Sequence, residues 1–204
     1  MIITVDGYDG TGKTTLAKSL AKKYGFIYLD KPIIKMMQCQ KECSFEEAVL
    51  LVKEAEAKLR INPSKRQITK FYCDALLWLK QFGEKHNIIL DRGFLTMYAV
   101  VGDNETEDLF DQYIKAGAFF DASIYLTAKD EERVNRIYGK NPNDPDLKHP
   151  VKWHDNNLES YATSRNLNYY KINTDNKTTE QVFDQAVKIV NKELEQKRDN
   201  ELSI

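Results

Sequence analysis

The sequence predicts an α/β domain built on a parallel sheet with crossover helices. Two observations carry this reading. Short β-branched runs alternate with longer segments of helical period, and the first such run leads into a glycine-rich loop followed by a helical pattern. A chain of 204 residues can bury a sizeable core, and nothing in its length asks for more than one domain, so 1–204 is read as one unit.

Taken in order, the strands are expected at Ile2 to Asp6, Phe26 to Leu29, Ile88 to Asp91, Ser123 to Thr127 and Tyr169 to Ile172. Two helices are expected between the second and third. The first opens on the capping-box pair Ser44 and Glu47 and carries Phe45, Ala48, Val49, Val52, Ala55 and Leu59 at helical spacing. The second sets Ile68, Phe71, Tyr72, Ala75, Leu76 and Leu79 on one stripe. Further helices are expected near Glu105 to Ala116, Lys129 to Tyr138, Trp153 to Ser164 and Thr179 to Glu195, with a fraying polar end after Lys197. Three of the five prolines, Pro142, Pro145 and Pro150, fall in one ten-residue stretch where helix cannot be sustained, which marks a flap around 136–152.

Composition excludes several classes. With 42% apolar and 30% charged residues the chain is neither disordered nor fibrous. Thirty Lys and Arg against thirty-one Asp and Glu leave a formal charge of -1, whereas broad nucleic-acid binding shows as a basic excess. No stretch approaches the roughly 18 apolar residues of a membrane span, and the N-terminus has neither a basic leader nor a signal-length apolar run. A cytoplasmic protein without membrane or nucleic-acid partners is therefore expected. Cys39 and Cys43 are spaced to share a helical face, but no histidine lies near them in sequence. Together with Cys73 they are read as buried or idle thiols.

The most informative segment follows the first strand. Gly7-Tyr8-Asp9-Gly10-Thr11-Gly12-Lys13-Thr14-Thr15 is a full G-x-x-x-x-G-K-T match in a strand, loop, helix setting. Glycines at these positions let consecutive N–H groups turn toward phosphate oxygens, and the following helix presents its positive end. Lys13 is then expected to neutralise charge on the β and γ phosphates of a nucleoside triphosphate, and Thr14 to offer its hydroxyl to Mg²⁺. A GTPase is excluded, because Asn176-Lys177-Thr178-Thr179-Glu180 lacks the Asn-Lys-x-Asp that reads guanine.

Downstream, Asp91-Arg92-Gly93-Phe94-Leu95-Thr96-Met97-Tyr98-Ala99-Val100-Val101-Gly102 resembles the thymidylate kinase segment D-R-Y-x-x-S-x-x-A-Y-Q-G, and Asp9 before Gly10 resembles that family's G-x-D-G-x-G-K-x-T. Phe71-Tyr72-Cys73-Asp74 stands where the family has a helical F-x-A-D-R, and Arg136 to Lys140 where it has a flap R-x-x-x-R. The resemblance implies a three-layer P-loop kinase fold with strand order 2-3-1-4-5, ATP and Mg²⁺ as cofactors, a small-molecule nucleotide substrate, and a homodimer as one open option. It also implies roles. Arg92 grips the acceptor's 5'-phosphate as a bidentate fork, Asp9 lies near the sugar and the metal shell, and Asp91 acts on Mg²⁺ through water. Phe71 stacks on the base, and Asp74 and Thr96 complete the acceptor site, to which Lys31 is added on its own charge rather than by the resemblance. Arg136 and Lys140 swing in with the flap to balance charge on the transferring group. Blander readings stand beside these: core packing for Phe71, a helix-dipole charge order for Arg133, Arg136 and Lys140, and an ion pair of Asp91 with Arg92.

The sequence departs from the family at Ala75, where the family has an arginine, at Val100-Val101 in place of Tyr-Gln, at Gly93 in place of tyrosine, and at Asp30-Lys31-Pro32 in place of Arg-Glu-Pro. The first two changes remove polar groups from the expected base pocket. The last bears on the acceptor, since Lys31 favours an anionic one, a monophosphate, while Asp30 could serve a deoxynucleoside kinase as a base for a 5'-hydroxyl. An ATP-binding regulatory module without transfer is the third option.

Overall fold

The computed structural model describes residues 1–61, 64–83, 85–144, 147 and 155–202. Its elements are β1 (Ile2–Gly7), α1 (Lys13–Tyr24), β2 (Ile27–Asp30), α2 (Pro32–Lys41), α3 (Phe45–Ile61), α4 (Lys65–Gly83), β3 (Ile88–Asp91), α5 (Phe94–Val101), α6 (Glu107–Ala116), β4 (Ala122–Thr127), α7 (Asp130–Lys140), α8 (Asp155–Ser164), β5 (Tyr169–Asn173) and α9 (Thr179–Leu202). The five strands form one parallel sheet in the expected order, β2-β3-β1-β4-β5.

Every residue of β1, β3 and β4 is buried, as the inner strands of a parallel sheet must be when helices cover both faces. The strand period of two sorts the core into layers. Ile3, Val5, Ile89, Ile124 and Leu126 meet Leu16 and Leu20 of α1 and Ala186 and Val190 of α9. Ile2, Ile88, Leu90 and Tyr125 face the other way and meet Leu76 and Leu79 of α4, Phe94 of α5 and Phe110 of α6. A smaller cluster of Ile33, Met36, Val52 and Ala75 ties α2, α3 and α4 together. No helix among the described residues is long and apolar enough to cross a membrane.

The capping box at α3 forms as read: Ser44 N donates to Glu47 Oε2 at 2.9 Å and Glu47 N to Ser44 Oγ at 3.2 Å. Three corrections apply. Among the described residues three helices, not two, separate β2 from β3, because Pro32 takes the first position of α2 after Lys31 turns the chain at φ 48°. Phe94–Val101 is a helix, buried on most sides, so its apolar run shows no one-sided stripe. The last helix continues to Leu202, past the expected fraying point. Of the flap expected at 136–152, Arg136 to Lys140 form the end of α7, whereas 145, 146 and 148–154 lie outside the described residues, along with His149, Trp153 and His154.

Candidate active site

The parallel sheet brings the carboxyl ends of β1 and β3 side by side, so the glycine-rich loop after β1 and the Asp91-Arg92 pair converge. In the loop Gly7, Gly10 and Gly12 have φ of 133°, 84° and 95°, which L side chains rarely adopt. At Gly10 the constraint is also spatial, since a Cβ there would come within 2.7 Å of the Arg133 carbonyl oxygen. Thr11 Oγ1 and Lys13 Nζ both donate to the Tyr8 carbonyl, at 2.7 and 2.6 Å, and fasten the loop from within. The helix that follows has Gly12 as its cap, no side-chain capping bond and no acidic residue in its first turn. Its N–H groups are therefore available to an anion. Thr14 and Thr15 are exposed in that same turn.

Four charges meet at the loop's mouth. Asp9 Oδ1 accepts from Lys13 Nζ at 3.3 Å and from Arg92 Nη2 at 2.5 Å. Burial raises the Asp9 carboxyl, but Lys13 and Arg92 outweigh it and hold the group below the usual carboxylate range. Lys13 is 4% exposed, and burial, helped by the Arg92 charge and opposed by Asp9 and Asp91, brings its ammonium down to about 8. Burial disfavours the charge on Arg92 as well, yet Asp9 and Asp91 leave its guanidinium above its ordinary value. Arg92 itself sits at φ 75°, a left-handed conformation that costs about 1 kcal/mol or more for a non-glycine residue and that directs its side chain toward the loop.

Asp91 is fully buried. Its Oδ2 accepts from Thr14 Oγ1 at 2.5 Å and from Tyr28 OH at 3.3 Å, while Oδ1 has no hydrogen-bond partner. A buried carboxylate oxygen without a donor is costly, so this atom fits a water of a magnesium shell held jointly with the Thr14 hydroxyl. The residues present thus fit the ion.

Asp6 is the site's principal positioning group and was not singled out from the sequence. Fully buried, its carboxylate accepts from Thr4 Oγ1, Ser123 Oγ, Gly93 N, Thr96 N and Thr96 Oγ1 at 2.6 to 2.8 Å. It joins β1 and β4 to the start of α5 and so sets Arg92 against the loop. Asp6→Ala strands two buried backbone N–H groups and is expected to cost about 3 kcal/mol of unfolding free energy in urea titration. Asp6→Asn should cost much less, because the amide oxygen keeps the two N–H bonds and the Thr96 hydroxyl while the Thr4 and Ser123 hydroxyls can turn to accept from the amide nitrogen; an alanine variant within 1 kcal/mol of wild type contradicts this role.

Beside this cluster opens a cavity of about 660 Å³, lined by Asp9, Lys31, Arg92, Thr96 and Arg133 as well as by apolar residues of α2 to α5 and α7. Several expected site residues lie elsewhere. Phe71 and Tyr72 both pack against the cluster of Ile33, Met36, Val52 and Ala75 and meet edge-on, but of the two it is Tyr72 that lines the cavity, with Ile68 and Leu76 beside it on α4. Asp74 accepts from Tyr113 OH at 2.5 Å and is not in the wall. Thr96 lines the cavity, but its hydroxyl is committed to Asp6 and accepts from Gly7 N.

On α7 the arginine in the cavity wall is Arg133, which donates to the Asp9 carbonyl at 2.8 Å and lies over the Tyr8 ring. Arg136 instead donates to Thr174 Oγ1 and O at 2.9 Å and weakly to Gly10 O at 3.4 Å, bracing the loop from the β5 side. Lys140 is exposed at the end of α7. Arg133 could have been found from its place one turn after Asp130, but Asp6 carries no signal apart from tertiary contacts.

A β1 loop–α1 phosphate cradle at the mouth of a 2-3-1-4-5 parallel sheet defines a P-loop nucleotide-binding protein. No family model matches the chain. It is 27% identical over 156 residues to a cytidylate kinase of Fusobacterium nucleatum, spanning 69% of this chain and 70% of that protein. It is 26% identical over 210 residues to a probable thymidylate kinase of Saccharolobus solfataricus, spanning 95% and 98%. Among solved structures it resembles thymidylate kinase from Ehrlichia chaffeensis, with TM-score 0.58 and 18% identity over 93% of this chain and 98% of that one. It also resembles a deoxyadenosine kinase from M. mycoides, with TM-score 0.56 and 16% identity over 94% and 100%. In fold and in its phosphate loop the chain resembles the thymidylate kinase-like P-loop kinases.

Proposed function

We propose that this protein transfers the γ-phosphoryl group of ATP to the 5'-phosphate of a (deoxy)nucleoside monophosphate. The observation that supports this best is the composition of the cavity beside Asp9: Lys31, Arg92 and Arg133 all line it, whereas Asp30, the residue a nucleoside kinase reading would use as base, is exposed and outside the wall. A monophosphate oxygen is already ionised near neutral pH, so it needs cations and alignment more than a base.

In this reading the loop N–H groups and Lys13 hold the donor phosphates, and Arg92 and Lys31 hold the acceptor phosphate in line with them. Arg133 adds positive charge between the two, while Asp9 keeps Lys13 and Arg92 oriented. Thr14 and Asp91 would hold Mg²⁺, which supplies charge neutralisation on the donor phosphates. An acceptor oxygen forms the new bond to phosphorus as the bond to the β–γ bridging oxygen breaks. The products are ADP and a nucleoside diphosphate, with no covalent enzyme intermediate. ADP release, measured with Mg²⁺ and ATP against a panel of nucleosides and their monophosphates, should show turnover with at least one monophosphate. Turnover with nucleosides alone moves the protein to the nucleoside kinases, and tight ATP binding without any turnover makes it a regulatory module.

A further inference from the structure

Phosphate chemistry accounts for Asp9, Lys31, Arg92 and Arg133, but not for the wall of the same cavity that α3 and α4 supply. There the Tyr72 hydroxyl donates to Glu56 Oε1 at 2.6 Å, and both side chains line the cavity. Around them the wall is apolar, formed by Leu59, Ile68, Leu76, Val100 and Val101. A carboxylate is an acceptor only, with about four lone-pair sites, and the tyrosine fixes its direction while taking one of them. Glu56 is half-buried, and a base seated against this apolar wall would cover it, so the bound ligand must then bring the carboxylate donors.

We propose that Glu56 reads the edge of the acceptor base and selects bases that carry an exocyclic amine, namely adenine, cytosine or guanine, over the diketo bases thymine and uracil. An exocyclic amine gives the carboxylate an N–H donor, and guanine adds its neighbouring ring N–H. Thymine and uracil present a single N–H with a carbonyl oxygen on each side, so a carboxylate that reaches it meets a lone pair from either direction, whereas the amine of adenine or cytosine projects beyond the ring and has a ring-nitrogen lone pair on one side only of that edge. The apolar neighbours Ile68, Leu76, Val100 and Val101 have no donor to offer those carbonyls. Discrimination of this kind leaves a buried polar group mismatched in the wrong complex, which is why it exceeds what apolar shape alone gives. The proposal deepens the function above and rests on it only for the acceptor being a nucleotide or nucleoside.

Calorimetric titration of the full chain with dAMP, dCMP, dGMP, dTMP and dUMP tests it without requiring turnover. The tightest amine-bearing monophosphate should bind wild type at least about 10-fold more tightly than dTMP or dUMP. Glu56→Gln, which can turn an amide N–H toward a carbonyl, should reduce that ratio about 10-fold while ATP affinity stays within about 2-fold. Tyr72→Phe removes the donor that orients Glu56 and should move the ratio the same way, so it serves if the glutamine variant does not fold. Equal or tighter binding of dTMP to wild type, or a ratio unchanged in both variants, overturns the proposal. If monophosphates bind with the expected ratio but only nucleosides are phosphorylated, the monophosphate kinase reading fails and the base assignment stands. If only nucleosides bind, the same ratio read on them decides the base assignment by the same criteria.

Discussion

Lys13→Ala is expected to lower kcat/KM for phosphoryl transfer on the order of 10³-fold, about 4 kcal/mol of transition-state stabilisation, in a protein that remains folded. The size follows from position. Lys13 is the cation of the loop itself, almost fully buried and already within reach of Asp9, so its charge acts where water cannot screen it. Folding should survive because Asp9 keeps Arg92 as a partner. The ammonium also has a titration signature. Its pKa falls from the ordinary lysine value to about 8 when the chain folds, with burial the leading cause. Between that pH and the unfolded lysine value the unfolded chain binds more protons, so this group's contribution to stability rises with pH across the window and is lost as pH falls through about 8. Donor phosphates reverse the effect by favouring the charged form. ATP binding near pH 8 should therefore take up part of a proton, seen as a buffer-dependent heat in calorimetry, and Lys13→Ala should abolish that uptake. Near-normal turnover in the variant would sink the assignment of this loop.

Arg92→Ala should lower kcat/KM for the monophosphate about 100-fold or more while changing ATP affinity less than about 3-fold. Arg92 lines the acceptor cavity, and among the described residues its side-chain hydrogen bond to the phosphate loop is to Asp9. The comparison of stabilities is clean, because alanine at φ 75° carries the same backbone strain as arginine. Arg92→Lys should restore only a fraction of the activity, since an ammonium cannot make the two parallel bonds of a guanidinium. Initial-rate kinetics with varied acceptor and saturating ATP separate these outcomes, and unchanged acceptor kinetics refute the role.

Much of this molecule was legible in its sequence. The sheet, its strand boundaries to within a residue or two, the capping box of α3 and the phosphate loop are written in local terms: β-branched runs, a Ser-Glu pair at the right spacing, and glycines where the backbone must turn left-handed. Lys13 and Thr14 were read from that local motif, whereas Asp91 was placed by its strand end beside the loop and given its role by the family resemblance. The helix α2 was missed because its start depends on Lys31 adopting φ 48°, and α5 because a helix buried on most sides shows no stripe. The rest of the site was decided in three dimensions. On α4, Phe71 and Tyr72 are equally aromatic neighbours in sequence. Which of them faces the cavity depends on how the helix is rotated against α2 and α3, and that rotation is set by the packing of Ile33, Met36, Val52 and Ala75. On α7, likewise, the docking of the helix against the loop puts Arg133 in the wall and Arg136 against Thr174. The sequence by itself determined the phosphate loop and the sheet that carries it, because their constraints are local in the chain. Only the tertiary structure decided that Asp6 would hold β1, β4 and α5 together and that Glu56 would meet Tyr72, because each of those contacts joins residues whose separation in sequence leaves no trace of their pairing.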